Sequence, residues 1–208
     1  AVGPLWSAGG DRGLYISDDG GKNWKNTLQL DEHTGVADLV MHPEDPNVLY
    51  ATTWQRRRHV FTHIGGGPGG AVYKSTDKGE TWQRVVKGLP NVDLGRIGLA
   101  FSADPDILYA IVEAAQDKGG FFKSTNEGAS WEQVSSYSTS GLYYARIYTD
   151  PVDPKRIYAM ATWLHYSDDG GKTFKVLGED TKHVDNHCMW INPEDPDHYL
   201  VGCDGGIY

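Results

Sequence analysis

Apolar residues alternate with polar ones in short runs along the whole chain, and turn residues interrupt them at regular intervals. Such a pattern predicts many short antiparallel strands and no long helix. Two phrases repeat within it. One is a strand pair around an Asp-Pro turn: DLVMHPEDPNVLYATTW, GLAFSADPDILYAIVE, RIYTDPVDPKRIYAMATW and CMWINPEDPDHYLVGCD, aligned on Asp45, Asp104, Asp153 and Asp195. The other follows a short aromatic strand and reads SDDGGKNW, STDKGETW, STNEGASW and SDDGGKTF, recurring every 43 to 58 residues. One supersecondary unit is therefore repeated, with strands A and B around the Asp-Pro turn and strands C and D around the Ser-Asp phrase. Four-stranded units of this length arranged radially are propeller blades, so the predicted fold is an all-β propeller of antiparallel blades.

The Ser-Asp phrase has the chemistry of a tight hairpin. In each copy the glycine (Gly21, Gly79, Gly128, Gly171) can take a positive φ. The hydroxyls of Ser17, Ser75, Ser124 and Ser167 and the side chains of Asp19, Asp77, Asn126 and Asp169 can accept backbone N–H groups. The closing Trp24, Trp82, Trp131 and Phe174 are large enough to cover a neighbouring unit. A calcium loop is not expected, because the ligand spacing and terminal glutamate are absent. These residues are scaffold, and function belongs where the repeats differ.

The phrases resemble the Asp-box, or bacterial neuraminidase repeat, propellers. Longer stretches (GGDRGLYISDDGGKNW, TGVADLVMHPEDPNVLYATTWQRRR, GLPNVDLGRIGLA, HVDNHCMWINPEDPDHYLVGCDGGIY) are similar to large secreted bacterial sortilin-like proteins that carry a glycosyl hydrolase label. The resemblance implies an extracellular or periplasmic location and about four blade-lengths of a seven- to ten-bladed propeller. The expected division is the end of a blade (1–30), three blades (31–90, 91–136, 137–180) and the start of another (181–208). The remaining blades of a parent chain, or association through open blade faces, would then complete the arc.

In a propeller, strand A lines the channel, and the segments before A and after B form one mouth. After the first complete strand B comes the insertion WQRRRHVFTHIGGGPGG, from Trp54 to Gly70, with Arg56, Arg57, Arg58, His59 and His63 ahead of a flexible glycine tract. It is either an arm that binds an anionic group over the mouth or a solvated loop. Before the last strand A, His183, Asp185 and His187 alternate, so an extended backbone would put all three on one side. They could hold a divalent metal, work as a proton relay with Asp185 as acid or base, or simply pack the wall. No other cofactor is implied. Trp54, Arg96, Tyr143, Tyr144, Arg146 and Trp163 are further candidates for ligand contact, by charge or by stacking on a sugar.

Two functions stay open at this level. One is a propeller that binds a peptide or glycan in its channel, as the sortilin resemblance implies. The other is an inverting glycoside hydrolase of the xyloglucanase type, which needs two carboxylates roughly 6.5–9.5 Å apart. Asp185 is the first choice, with Asp38, Asp31 or Glu113 as its partner. A purely structural extracellular module is the third possibility. Arg96 and Arg146 do not sit in the Arg-Ile-Pro context of sialidases.

Charge narrows the partners: a net −9 argues against nucleic acid and anionic membrane surfaces. No apolar run reaches the length of a membrane helix. Cys188 and Cys203 lie at similar distances from the Asp195-Pro196 turn, so a regular register would set them opposite each other, either bridged or as two thiols. A bridge would mark an oxidising compartment.

Overall fold

The computed structural model describes residues 1–178 and 180–208. Strands β1 (Leu14–Ile16) and β2 (Lys25–Leu28) make a first antiparallel pair. The next sheet holds β3 (Thr34–Met41), β4 (Leu49–Gln55), β7 (Ala71–Ser75) and β8 (Gln83–Val85) in that order. A separate small hairpin, β5 (Arg57–Arg58) and β6 (His63–Ile64), is inserted between β4 and β7. The following sheets are β9 (Leu94–Phe101) to β12 (Glu132–Ser135), through β10 (Leu108–Ala114) and β11 (Gly120–Ser124), and β13 (Arg146–Thr149) to β16 (Lys175–Val176), through β14 (Ile157–Met160) and β15 (His165–Ser167). A three-stranded sheet closes the series: β17 (Asn186–Ile191), β18 (Tyr199–Cys203) and β19 (Gly206–Ile207). Sequential antiparallel strands build every sheet, and the first strands β3, β9, β13 and β17 touch one another in turn. The fold is a propeller arc, as the repeats predict.

The four Ser-Asp turns share one hydrogen-bond scheme. In the second, the buried Ser75 hydroxyl donates to Asp77 Oδ1 (2.7 Å) and accepts the buried Gly79 N–H (2.8 Å). Asp77 also accepts the Thr81 N–H and hydroxyl. The same set recurs at Ser17, Ser124 and Ser167, with Asn126 using its amide oxygen in the third copy. The last three turns are each tied to the Asp-Pro turn of their own blade through Lys78 N–H to Asn47 O, Glu127 N–H to Asp106 O and Gly170 N–H to Lys155 O. The two kinds of turn therefore share the face opposite the mouth.

Blades adhere because these turns also face their neighbours. A Cβ on Gly128 would lie 2.7 Å from the Tyr50 ring, and one on Gly171 would lie 2.2 Å from Phe121. Glycine is thus required both by its positive φ and by the ring of the preceding blade. Tyr50 and Tyr109 reach forward to the carbonyls of Glu127 and Pro154 in the next blade. Trp131 joins Val48, Tyr50 and Val72 in one buried cluster, and Phe174 stacks on Tyr137 at 3.8 Å. Trp82 packs beside Leu14 and Leu28 of the first pair. Trp24 departs from the expectation: it is 62% exposed.

Three further expectations need correction. The glycine tract is pinned, since Gly67 N–H donates to Leu94 O and a Cβ on Gly67 would fall 2.0 Å from Gln55 Oε1. The cysteines are both free thiols. An extra residue at His187 shifts the β17–β18 register, so Cys188 faces Gly202 while Cys203 faces Asn186. A one-residue slip sends the two thiols to opposite faces of the sheet, and the case for an oxidising compartment based on a bridge lapses. The third, an alternating His183–Asp185–His187 strand, fails for reasons given with the site.

The turn chemistry sets two expected outcomes. Ser75→Ala leaves the buried Gly79 N–H without its acceptor and should cost about 1–3 kcal/mol in denaturant unfolding. The carboxyls of Asp19, Asp77 and Asp169 are each held down to about 2, the first mainly by the Asn23 N–H, the second by the Thr81 hydroxyl and the third by the Thr173 N–H. Their folded values lie below the unfolded ones, so they stabilise the fold above the ordinary carboxylate range. That contribution is lost as pH falls from about 4 through about 2. Replacing all three with Asn, as Asn126 already stands, should flatten the acid limb of a stability–pH curve.

Candidate functional site

At the mouth, regular alternation gives way on three of the innermost strands. Ala37 is an extra residue in β3, His187 is an extra residue in β17, and Gly95 with Arg96 oppose the single Glu113 between β9 and β10. Ahead of β13 and β17, Ala145 and Asp185 take positive φ values of 60° and 66°. Bulges and left-handed residues re-aim side chains away from where a period of two would put them.

Asp185 shows the effect. Its backbone is not extended, and its N–H donates to Thr162 O at 2.8 Å. Its Oδ1 accepts the Tyr144 hydroxyl, which also contacts Thr162 Oγ1 at 3.0 Å. Burial, followed by the bond to Asp185, raises the Tyr144 phenol above its usual range. The Tyr144 ring lies against His187, with centroids 5.7 Å apart and planes at 20°, and His187 Nε2 pairs with Asp204 Oδ1 at 2.8 Å. His183 turns away to the Val184 carbonyl. The expected metal triad is therefore not assembled, and no group of three potential metal ligands occurs among the described residues. Tyr143 and Trp163, the chain neighbours of Tyr144 and Thr162, are 56% and 51% exposed.

A second cluster surrounds Trp54. It is buried rather than open for stacking, with its indole N–H bonded to Gly65 O (2.7 Å) and the guanidiniums of Arg56 and Arg96 at 5.2 and 5.4 Å from its ring centroid. Burial, then the nearby Arg146, lowers the Arg96 pKa, while Asp38 opposes the shift. Asp38 Oδ2 accepts Leu99 N–H of the next blade at 3.0 Å and Oδ1 accepts Leu39 N–H, so this carboxylate ties β3 to β9. Burial raises its pKa and that of Glu113. Glu113 Oε2 accepts Arg96 N–H at 3.3 Å in a slot where a Cβ on Gly95 or Gly141 would clash. Asp31 caps a turn, accepting the N–H groups of His33 and Thr34. None of Asp31, Asp38 and Glu113 is bonded to Asp185.

The insertion forms the arm the sequence suggests. Arg58 N–H donates to Leu5 O at 2.8 Å, and its Nη2 reaches the Tyr143 hydroxyl two blades away at 3.2 Å. Arg57 Nη2 donates to His33 Nδ1 at 2.6 Å. Asp204, His33 and the role of Tyr144 went unread in the sequence. Asp204 was accessible in principle, because the end of a second strand always lies beside the start of the first.

Comparisons with known proteins agree with this architecture. The BNR/Asp-box repeat family matches residues 15–26. A xyloglucanase of Acetivibrio thermocellus is 26% identical over 206 residues, covering 94% of this chain and 22% of that protein. A vacuolar protein sorting/targeting protein 10 of Colletotrichum graminicola is 26% identical over 215 residues, covering 92% of the chain and 12% of that protein. The chain thus spans about a fifth or less of the length of these curated relatives. Among solved structures, the GH74 xyloglucanase of Xanthomonas campestris superposes with a TM-score of 0.65 at 20% identity, over 95% of this chain and 33% of that one.

The Trp54–Gly65 bond generates a local expectation. Trp54→Phe removes the donor while keeping an aromatic ring, and should cost about 0.5–1.5 kcal/mol. Hydrogen exchange should accelerate selectively in 63–67. Unchanged exchange there would mean that the glycine contacts alone hold the arm.

Proposed function

We propose that this Asp-box propeller segment supplies part of a glycan-binding mouth in an extracellular or periplasmic protein. The observation that carries the reading is the pair of exposed aromatic rings, Tyr143 and Trp163, next in the chain to Tyr144 and Thr162, which join the hydrogen-bonded pairs Tyr144–Asp185 and His187–Asp204. Aromatic faces stack on the apolar face of a pyranose, and fixed carboxylates and a histidine take its hydroxyls. The xyloglucanases among the relatives, named for a glycan, support the same ligand class. A peptide ligand fits less well, because the sheet edges at the mouth give way to bulges that interrupt strand addition.

A second reading, glycoside hydrolysis, rests on Asp185. A non-glycine residue at φ 66° costs backbone energy, and such strain concentrates at functional positions. Asp185 and Asp204, linked through the stacked Tyr144 and His187, are two carboxylates in one cluster, as acid–base cleavage of a glycosidic bond requires.

Calorimetric titration with neutral xyloglucan oligosaccharides tests both. Binding should weaken about three- to tenfold in Trp163→Ala and in Tyr143→Ala, and persist in Asp185→Asn. No binding to these oligosaccharides, or full affinity in both aromatic variants, would overturn the mouth as a glycan site. Release of reducing ends by the parent protein that disappears in Asp185→Asn would favour the hydrolase; turnover retained in that variant would remove Asp185 from the chemistry.

A further inference from the structure

Under the arm lies a cavity of about 310 Å3, separate from the Tyr144–Asp185 cluster and lined among others by His33, Arg56, Arg57, Ile64, Pro68 and Asp93. Two arginines, Arg56 and Arg57, line it in a chain of net charge −9. Among the described residues, neither has a carboxylate within ion-pair distance. Arg56 Nε is buried and has no hydrogen-bond partner. A buried charged donor left unmet is costly, and such exceptions call for an acceptor. Arg57 spends one donor on His33 Nδ1, and the other nitrogen of that ring, Nε2, lies 3.4 Å from Glu32 Oε1. The rest of its fork is free.

The walls are fixed rather than adaptable. Gly66 and Gly67 press against Leu94 and Gln55 so closely that no side chain would fit, and Gly69 N–H holds Gln55 Oε1 at 3.0 Å. Ile64 and Pro68 give an apolar surface, and Asp93 adds an acceptor. The volume sits at the low end for ligand pockets and suits one compact unit.

We infer that this cavity is a subsite for the carboxylate of a hexuronic acid residue, so that the glycan bound at the mouth carries an acidic residue beside its neutral ones. The inference rests on the glycan reading above and names the substrate class. A planar, singly charged carboxylate matches a guanidinium fork. Asp93 in the lining repels a dianionic phosphate more strongly, the apolar wall takes the pyranose face, and Asp93 accepts a ring hydroxyl.

The test titrates the whole chain with D-glucuronate, D-glucose and N-acetylglycine, each alone. Glucuronate should bind at least about tenfold more tightly than glucose, weaken as salt is raised, and lose about tenfold or more in Arg56→Gln and in Arg57→Gln. Arg56→Lys, which keeps the charge and the fold but not the fork, should lose nearly as much. Equal binding of glucuronate and glucose, or insensitivity to all three variants, overturns the subsite. N-acetylglycine binding as tightly as glucuronate overturns its assignment to a sugar. Glucuronate binding without neutral oligosaccharide binding would sink the mouth reading alone, and the reverse result would sink the subsite alone.

Discussion

The whole arc depends on one small bond, the serine hydroxyl that accepts a glycine N–H in each Ser-Asp turn and is buried in the last three copies. That N–H sits inside a turn that no strand can reach, and leaving it unpaired would expel the turn from the interior. With the serine in place the glycine can stay buried. Its missing side chain is then the space into which the preceding blade inserts Tyr50 or Phe121. Hydrogen bonding within a turn and packing between blades are thus the same event, repeated along the chain. The carboxylate that completes the turn is replaceable, as Asn126 shows by making the corresponding bonds without charge.

This explains how much of the fold could be read from residues alone. Turn chemistry is local, so Ser-x-Asp-x-Gly specifies its geometry wherever it occurs, and repetition removes ambiguity. Strand order and the placement of the turns on one face follow. The mouth obeys other rules. Reading His183, Asp185 and His187 as one face assumed unbroken alternation, and Asp185 at φ 66° and the extra residue at His187 both break it. The same extra residue separates the two thiols. Trp54 looked like an open platform because its partners, Gly65 and Arg96, are distant in sequence. Bulges are set by cross-strand pairing, which a single sequence does not display.

The candidate site was partly visible. Asp185, Tyr143, Arg146, Trp163 and the arginines of the arm all lie on the mouth face, but their partners rearrange the chemistry. Asp185 belongs with Tyr144, His187 and Asp204 rather than with His183. Asp38 spends both oxygens on backbone N–H groups and serves as a clasp between channel strands. The charged residues thus divide into those that build the wall and those left with unused bonding capacity, and only the second group has chemistry to offer a ligand.

The arm is fastened to Leu5, to Trp54 through Gly65, and to Tyr143, points that belong to the first, second and fourth parts of the arc. A strut across a curved stack resists the shear by which neighbouring blades slide past each other. Any twist between the second and fourth sheets must stretch the Arg58–Tyr143 contact, so that one side chain registers the curvature of the ring.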